Sequence, residues 1–171
     1  REKGYVMLSQ FENKYNPQAH ELTTAAEIVA DFSKLDAFVA GVGTGGTISG
    51  VAKILKEKVY DTKIIAVEPE ASPVLSGGNP GPHKIQGIGA GFLPNTMNMS
   101  LVSEVEKVSN DDALNAARAI AKSDGLMIGI SGGAAYVAAK RVAKRLGAGK
   151  KVLFIAPDNG ERYLSTELYG A

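Results

Sequence analysis

Residues 37–50 read AFVAGVGTGGTISG, an apolar run that passes into a glycine-rich loop and then into a helical pattern. A strand that feeds such a loop, followed at once by a helix, leaves several backbone N–H groups unpaired beside the positive end of the helix dipole. Four glycines between positions 41 and 46 let the main chain curl tightly, and the hydroxyls of Thr44 and Thr47 add two hydrogen-bond donors. The stretch therefore predicts an anion site, most naturally a phosphate site, at the end of a strand.

The same loop also fits a dinucleotide-binding pattern, so the kind of phosphate stays open at this point. Residues 41–46 satisfy G-x-G-x-x-G, and the next predicted strand ends at Glu68, 22 residues after Gly46, where a ribose-binding carboxylate would lie. The threonine hydroxyls suit a terminal monophosphate better than a bridging pyrophosphate. A third interpretation is a tight strand-to-helix turn that binds nothing.

Composition favours small-molecule chemistry. The chain has 171 residues, 44% of them hydrophobic, with 19 basic against 18 acidic side chains and a formal charge of +1. Such a charge gives no broad attraction to nucleic acid or to a membrane surface, and no apolar stretch reaches the roughly 18 residues of a membrane span. Cysteine is absent and the two histidines, His20 and His83, lie far apart, so we expect no disulfide, no metal site and a cytoplasmic setting.

Apolar patterns along the chain predict strands that alternate with helices. Strands are predicted over 37–42, 63–67, 101–108, 126–130 and 151–156, and helices over 24–31, 46–58, 110–124, 134–145 and near Tyr163. Ser109 is a predicted helix cap, Gly125 and Gly147 are predicted helix ends, and residues 13–17 and 131–133 are predicted turns. This order predicts an α/β fold with a mainly parallel sheet and helices on both faces. Ligands of such sheets bind beyond the carboxyl ends of the strands, so the two glycine loops and the loop over 157–160 are expected to line one pocket.

Four motifs follow one another in a fixed order along the chain: GTGGT over 43–47, PGPHKIQGIGAGF over 80–92, GIS over 129–131 and GERYLST over 160–166. Together they resemble the cysteine synthase (O-acetylserine sulfhydrylase) family, and the likeness covers essentially the whole chain. The resemblance implies pyridoxal 5′-phosphate (PLP) as the cofactor. It also implies the fold of the tryptophan synthase β-subunit (fold type II), with this chain forming the larger cofactor domain.

Eight residues receive roles from this resemblance. The loop would bind the phosphate of the cofactor, Ser131 would hydrogen-bond its pyridine nitrogen, Gln10 would help to bind the substrate carboxylate, and Gly87 would lie in a loop that moves as the site closes. The phosphate-binding residues would be Gly43, Thr44, Gly45, Gly46 and Thr47. The family more often has Gln where Ser9 stands and Ser where Gly132 stands, which bears on substrate preference more than on cofactor binding.

One feature of the family is missing from this sequence. The Schiff-base lysine of the family lies in a Ser-x-Lys motif, near an Asn-containing loop that binds the substrate, and neither motif occurs here. No catalytic residue is therefore nominated. The chain begins Arg1-Glu2-Lys3 without Met, and residues 1–171 are expected to be the carboxyl-terminal part of a longer enzyme, inactive by themselves.

For the complete enzyme, the resemblance implies β-replacement, in which O-acetylserine and sulfide give cysteine and acetate. It also implies a homodimer and a site that can accept the carboxyl-terminal tail of serine acetyltransferase. Three alternatives remain: a β-replacement like that of cystathionine β-synthase, an NAD-binding half of an oxidoreductase, and a binding module without catalysis.

Overall fold

The computed structural model describes residues 4–58 and 61–170, and within these ranges a four-stranded parallel sheet forms the centre. Its strands are β1 (Ala37–Gly41), β2 (Lys63–Pro69), β3 (Glu104–Val108) and β4 (Val152–Phe154). The strand order is β3-β2-β1-β4, and Ala37 of β1 lies opposite both Lys63 of β2 and Val152 of β4. Residues 1–3, on which the expectation of a fragment drew, lie outside the described ranges.

Helices cover both faces of this sheet. In the described part of the chain they are α1 (Tyr15–Leu22), α2 (Thr24–Asp31), α3 (Gly46–Lys58), α4 (Asn110–Asp124) and α5 (Ile130–Leu146). Phe38 and Ala40 of β1 pack in one core with α2 and α3, whereas Ala37 and Val39 pack in a second core with α4 and α5. Because both faces of β1 are covered, the strand is an unbroken apolar run. The predicted α/β fold is confirmed.

Several elements have the predicted bounds. Helix α2 spans 24–31 and α3 spans 46–58 in both the prediction and the structure. Ser109 caps α4, since its Oγ accepts a hydrogen bond of 3.1 Å from the backbone N–H of Asp112. Gly125 ends the same helix with a φ of +71°, the left-handed conformation that glycine adopts at little cost.

The strand predicted over 126–130 and the glycine turn predicted over 131–133 are both wrong. Ile128 makes only an isolated antiparallel bridge with Asn159, and α5 already begins at Ile130. The glycines of this segment serve helix packing, because a Cβ at Gly133 would collide with the carbonyl oxygen of Ala113 in α4. The sequence pattern could not distinguish a glycine turn from a helix that needs glycine for close contact.

The turn predicted over 13–17 is in fact the start of α1. The side-chain oxygen of Asn13 accepts from the backbone N–H of Tyr15 at 3.0 Å, and Pro17 lies in the first turn, where a missing N–H costs little. Smaller differences occur elsewhere. Strand β3 begins at Glu104 and β4 covers only 152–154, β1 ends at 41, and a single 3-10 turn (Gly160–Tyr163) takes the place of the terminal helix.

The described residues contain neither a membrane-spanning helix nor a metal-binding cluster. No helix among them is both long enough and apolar enough to cross a membrane. Nor do three or more His, Cys, Asp or Glu side chains in these ranges come together as a metal-binding group.

Candidate functional site

A cavity of about 560 Å³ opens where the carboxyl ends of β1 and β4 meet the glycine-rich loop. Six of the eight predicted site residues line it: Gln10, Gly43, Thr44, Thr47, Gly87 and Ser131. The predicted third loop also contributes, through Pro157 and Asp158. The structure therefore brings together the three segments that the sequence placed at this edge of the sheet, although Ser131 comes from the first turn of α5 rather than from a glycine turn.

Gly45 and Gly46 are both buried and do not line the cavity. Gly45 has a φ of +81°, and a Cβ there would come within 2.7–2.9 Å of Met97. A Cβ at Gly46 would collide with the side-chain oxygen of Asn16. These two glycines let the loop turn sharply and pack closely against Met97 and Asn16.

Gly43 is the glycine of this loop that faces the neighbouring loop. A Cβ at Gly43 would collide with the carbonyl oxygen of Gly87, so the two loops touch through their backbones. Three residues after Gly43, the chain enters α3, whose positive dipole end faces this side of the sheet. The loop carries no acidic side chain, and its donors are backbone N–H groups and threonine hydroxyls, which suits an anion.

The two threonine side chains of the loop are each fixed by a side chain of α1. Nδ2 of Asn16 lies 2.9 Å from Oγ1 of Thr44, and Nε2 of His20 lies 3.2 Å from Oγ1 of Thr47. Burial lowers the pKa of His20, which favours the neutral imidazole. The sequence analysis considered His20 only as a possible metal ligand and did not single out Asn16.

Gly87 and Ser131 lie side by side in the lining of the cavity. The position of a Cβ on Gly87 would be 3.8 Å from Oγ of Ser131, and Gly87 has a φ of +91°. Ser131 is only 4% exposed, and its hydroxyl has no hydrogen-bond partner among the described residues. That hydroxyl is therefore available to a ligand in the cavity.

Two hydrogen-bond contacts and one ring contact hold the segment around Gly87. The backbone N–H of Gly89 donates to the carbonyl oxygen of Val42 at 2.9 Å, and Nε2 of His83 lies 3.1 Å from the carbonyl oxygen of Gly89. Phe92, at the end of the segment, packs edge to face against Phe11 with ring centres 5.1 Å apart. This contact joins the Gly87 segment to the residue that follows Gln10.

Asp158 lines the cavity in the loop over 157–160 that the sequence placed there, although the sequence assigned no role to its side chain. Its Oδ2 accepts a hydrogen bond of 2.6 Å from the hydroxyl of Tyr163, while its Oδ1 is buried without a partner in the described part of the chain. Burial, followed by this hydrogen bond, raises the pKa of Tyr163 to about 12. The signal in the sequence was a carboxylate in the loop that follows the last strand.

Glu68 does not play the part that the dinucleotide interpretation requires. Its carboxylate is 1% exposed and accepts hydrogen bonds from the backbone N–H groups of Leu75 and Ser76, at 2.7 and 3.2 Å, and from the Ser76 hydroxyl at 2.5 Å. It organises the segment after β2 and does not line the cavity. The position expected to bind a ribose is therefore occupied by a structural carboxylate.

Comparison with known proteins settles the family. Residues 1–158 match the sequence profile of the family described as "Pyridoxal-phosphate dependent enzyme". The chain belongs to this family. This membership agrees with the donors of the glycine-rich loop, which suit a phosphate. It also agrees with Glu68, whose carboxylate lies outside the cavity and is not free to bind a ribose.

Individual relatives narrow the comparison. The chain is 56% identical over 170 residues to a cysteine synthase of Staphylococcus aureus (strain Mu50 / ATCC 700699), covering 98% of this chain and 55% of the relative. The crystal structure of a cysteine synthase from Entamoeba histolytica is similar with a TM-score of 0.91 and 49% identity, covering 96% of this chain and 49% of that one.

A third relative is an O-acetylserine-dependent cystathionine β-synthase from Helicobacter pylori, whose crystal structure is similar with a TM-score of 0.89 and 46% identity. The match covers 94% of this chain and 52% of the relative. The chain thus spans about half the length of the relatives that it matches.

Proposed function

We propose that the polypeptide carrying this chain is a PLP-dependent cysteine synthase, which converts O-acetylserine and sulfide into cysteine and acetate. The observation that carries the proposal is the cavity itself, where the glycine-rich loop, Gly87 and Ser131 meet in a chain 56% identical to a cysteine synthase. When bound, PLP supplies the electron sink for β-replacement, and the protein supplies orientation and electrostatics.

The phosphate of PLP would be held by the loop over 43–47. The loop offers neutral N–H and O–H donors at the positive end of α3, with no carboxylate among them, which matches the donor set that a phosphate dianion needs. Gly43 allows the loop to reach the backbone of Gly87, which narrows the cavity at this end.

Ser131 would orient the cofactor ring. Its hydroxyl lines the cavity and is free of partners among the described residues, so it can hydrogen-bond the pyridine nitrogen. A neutral hydroxyl at this position does not enforce a fully protonated pyridine, which suits β-replacement.

Gln10 and Gly87 would bind the substrate. Gln10 lines the same cavity as Thr44, and its side chain can offer an amide N–H to the substrate carboxylate. Gly87 lies in the segment whose Phe92 packs against Phe11, the residue that follows Gln10. Movement of this segment would close the cavity over the substrate and exclude water.

The covalent link to the cofactor would come from outside this chain. No lysine lines the cavity among the described residues, so the lysine that binds PLP and transfers protons would lie in another part of the polypeptide. We propose that residues 1–171 are the carboxyl-terminal cofactor domain, that the complete enzyme is a homodimer, and that its site can accept the tail of a serine acetyltransferase.

A second β-replacement is the rival function. The Helicobacter pylori relative is described as an O-acetylserine-dependent cystathionine β-synthase, and Ser9 and Gly132, two neighbours of proposed site residues, depart from the pattern more common in cysteine synthases. The rival enzyme would also use O-acetylserine, but with a larger thiol in place of sulfide.

Purified intact polypeptide supplied with PLP tests the proposal. We expect a visible absorption band of bound PLP and formation of cysteine from O-acetylserine and sulfide at a higher kcat/KM than cystathionine from O-acetylserine and homocysteine. Ser131→Ala should lower turnover by about tenfold, the scale of one lost hydrogen bond, while PLP still binds. Absence of the band would contradict the cofactor assignment, and an unchanged rate in the variant would contradict the role of Ser131.

A further inference from the structure

Helix α1 lies directly behind the glycine-rich loop, and two glycines of α3 make this close packing possible. A Cβ at Gly50 would collide with the carbonyl oxygen of Pro17, and a Cβ at Gly46 would collide with the side chain of Asn16. Asn16 and His20, one helical turn apart on α1, both contact the loop, and neither of them lines the cavity.

The hydrogen bonds of Asn16 fix the orientation of its amide. Its Nδ2 donates to the carbonyl oxygen of Gln10 at 2.8 Å and to Oγ1 of Thr44 at 2.9 Å. A backbone carbonyl can only accept, so the amide atom facing Gln10 must be the nitrogen. The second hydrogen of that nitrogen then points at Thr44, whose hydroxyl must accept it.

Thr44 is left as a donor toward the cavity. Its Oγ1 also accepts from the backbone N–H of Gly46 at 3.2 Å, so both lone pairs of the hydroxyl oxygen are engaged. The remaining hydroxyl proton has no acceptor among the described residues, and Thr44 lines the cavity. A ligand group that accepts hydrogen bonds fits here, whereas a donor would find no lone pair.

His20 forms a similar relay to Thr47. Its Nδ1 lies 3.0 Å from Oγ1 of Thr24 and its Nε2 lies 3.2 Å from Oγ1 of Thr47. In a neutral imidazole one nitrogen donates and the other accepts. If Thr24 donates to Nδ1, then Nε2–H donates to Thr47, and the hydroxyl proton of Thr47 is also free for the cavity.

We propose that Asn16 and His20 are positioning residues that turn the hydroxyl protons of Thr44 and Thr47 toward an anionic phosphate in the cavity. The inference rests on the proposed function, since it takes the phosphate to be that of PLP. It assigns to α1 the selection of an anion over a neutral or donating ligand.

A double-mutant cycle in the intact polypeptide, purified free of cofactor, tests the role of Asn16. The probes are PLP and inorganic phosphate, with affinity measured by calorimetry. Asn16→Ala and Thr44→Val should each weaken PLP binding about tenfold, the scale of one hydrogen bond to a charged group. The double variant should match Thr44→Val alone, because Asn16 acts through that hydroxyl.

Asn115→Ala is the matched control, since Asn115 is an exposed residue of helix α4 and does not line the cavity. It should bind PLP as the wild type does. Additive losses in the double variant, or an Asn16→Ala protein that binds PLP as the wild type does, would overturn the role of Asn16.

The tautomer of His20 gives a readout that needs no destabilising variant. In 15N-histidine-labelled protein with PLP bound, the His20 signals, assigned by their loss in His20→Gln, should show the proton on Nε2. A proton on Nδ1 alone would require Thr47 to donate to His20 and would overturn its role.

Binding of PLP and phosphate by the wild type distinguishes a failure of the proposed function from a failure of this inference alone. If the wild type binds neither PLP nor phosphate, the proposed function fails and this inference fails with it. If it binds both and only the cycle or the tautomer disagrees, the inference alone is overturned.

Discussion

The half-buried Asp158, which lines the cavity, is hydrogen-bonded to the buried Tyr163, and this contact has a consequence at high pH. Burial and the hydrogen bond to Asp158 raise the pKa of Tyr163 to about 12, so the folded protein favours the neutral phenol. An unfolded tyrosine titrates near pH 10. The stabilisation is therefore fully present below about pH 10 and is lost as the pH rises through about 12.

Tyr163→Phe tests this pair through denaturant unfolding at a series of alkaline pH values. The free energy of unfolding should fall more steeply between about pH 10 and 12 in the wild type than in the variant, which lacks the titrating phenol. Parallel curves would show that the pKa of Tyr163 is not raised in the folded protein and would contradict this prediction.

The sequence alone identified those cavity residues that belong to the glycine-rich loop itself. Thr44, Thr47 and Gly43 belong to a loop whose composition already indicates an anion site, and all three line the cavity. Asn16 was not found, because it reaches the site through tertiary packing. Nothing in the local pattern around residue 16 shows that α1 will lie against Gly46 and Gly50.

Among the elements, α5 shows how a glycine pair can mislead a prediction. Gly132 and Gly133 suggested a turn, yet both lie inside the helix. A Cβ at Gly133 would collide with the carbonyl oxygen of Ala113, whereas a Cβ at Gly132 would meet only side-chain carbons at 3.3–3.4 Å. Helices α2 and α3 were predicted well because their apolar positions follow a helical period and no glycine pair interrupts a buried face.

The two neighbouring glycines offer a matched pair of substitutions. Gly133→Ala should lower the free energy of unfolding by about 1–3 kcal/mol, because α5 must move away from α4. Gly132→Ala should stay within about 1 kcal/mol of the wild type, since the gain in helix propensity offsets a tight contact. Denaturant unfolding of both variants measures this, and equal effects would contradict the packing of α5 on α4.

For the whole molecule, the main feature is an apolar segment that nothing in the described structure covers. Its four residues, Tyr5, Val6, Met7 and Leu8, are 76–88% exposed and belong to neither of the two hydrophobic cores. Contiguous exposed apolar side chains mark a surface that is covered in the working protein. Together with a cavity that no described lysine lines, this agrees with the proposal that further polypeptide completes the enzyme.

The 171-residue chain expressed alone tests that proposal. Supplied with PLP, O-acetylserine and sulfide, it should form no cysteine, and it should bind the dye ANS more strongly than the intact polypeptide does, because residues 5–8 stay exposed. Cysteine formation by the chain alone would contradict the proposed absence of the catalytic lysine.

The central claim is that the loop over 43–47 holds the phosphate of PLP, and a crystal structure of the intact polypeptide purified with PLP tests it most directly. The account predicts phosphate density at this loop, with the hydroxyls of Thr44 and Thr47 within hydrogen-bond distance and the cofactor ring directed toward Ser131. A cofactor bound elsewhere, or a dinucleotide in this loop, would contradict it.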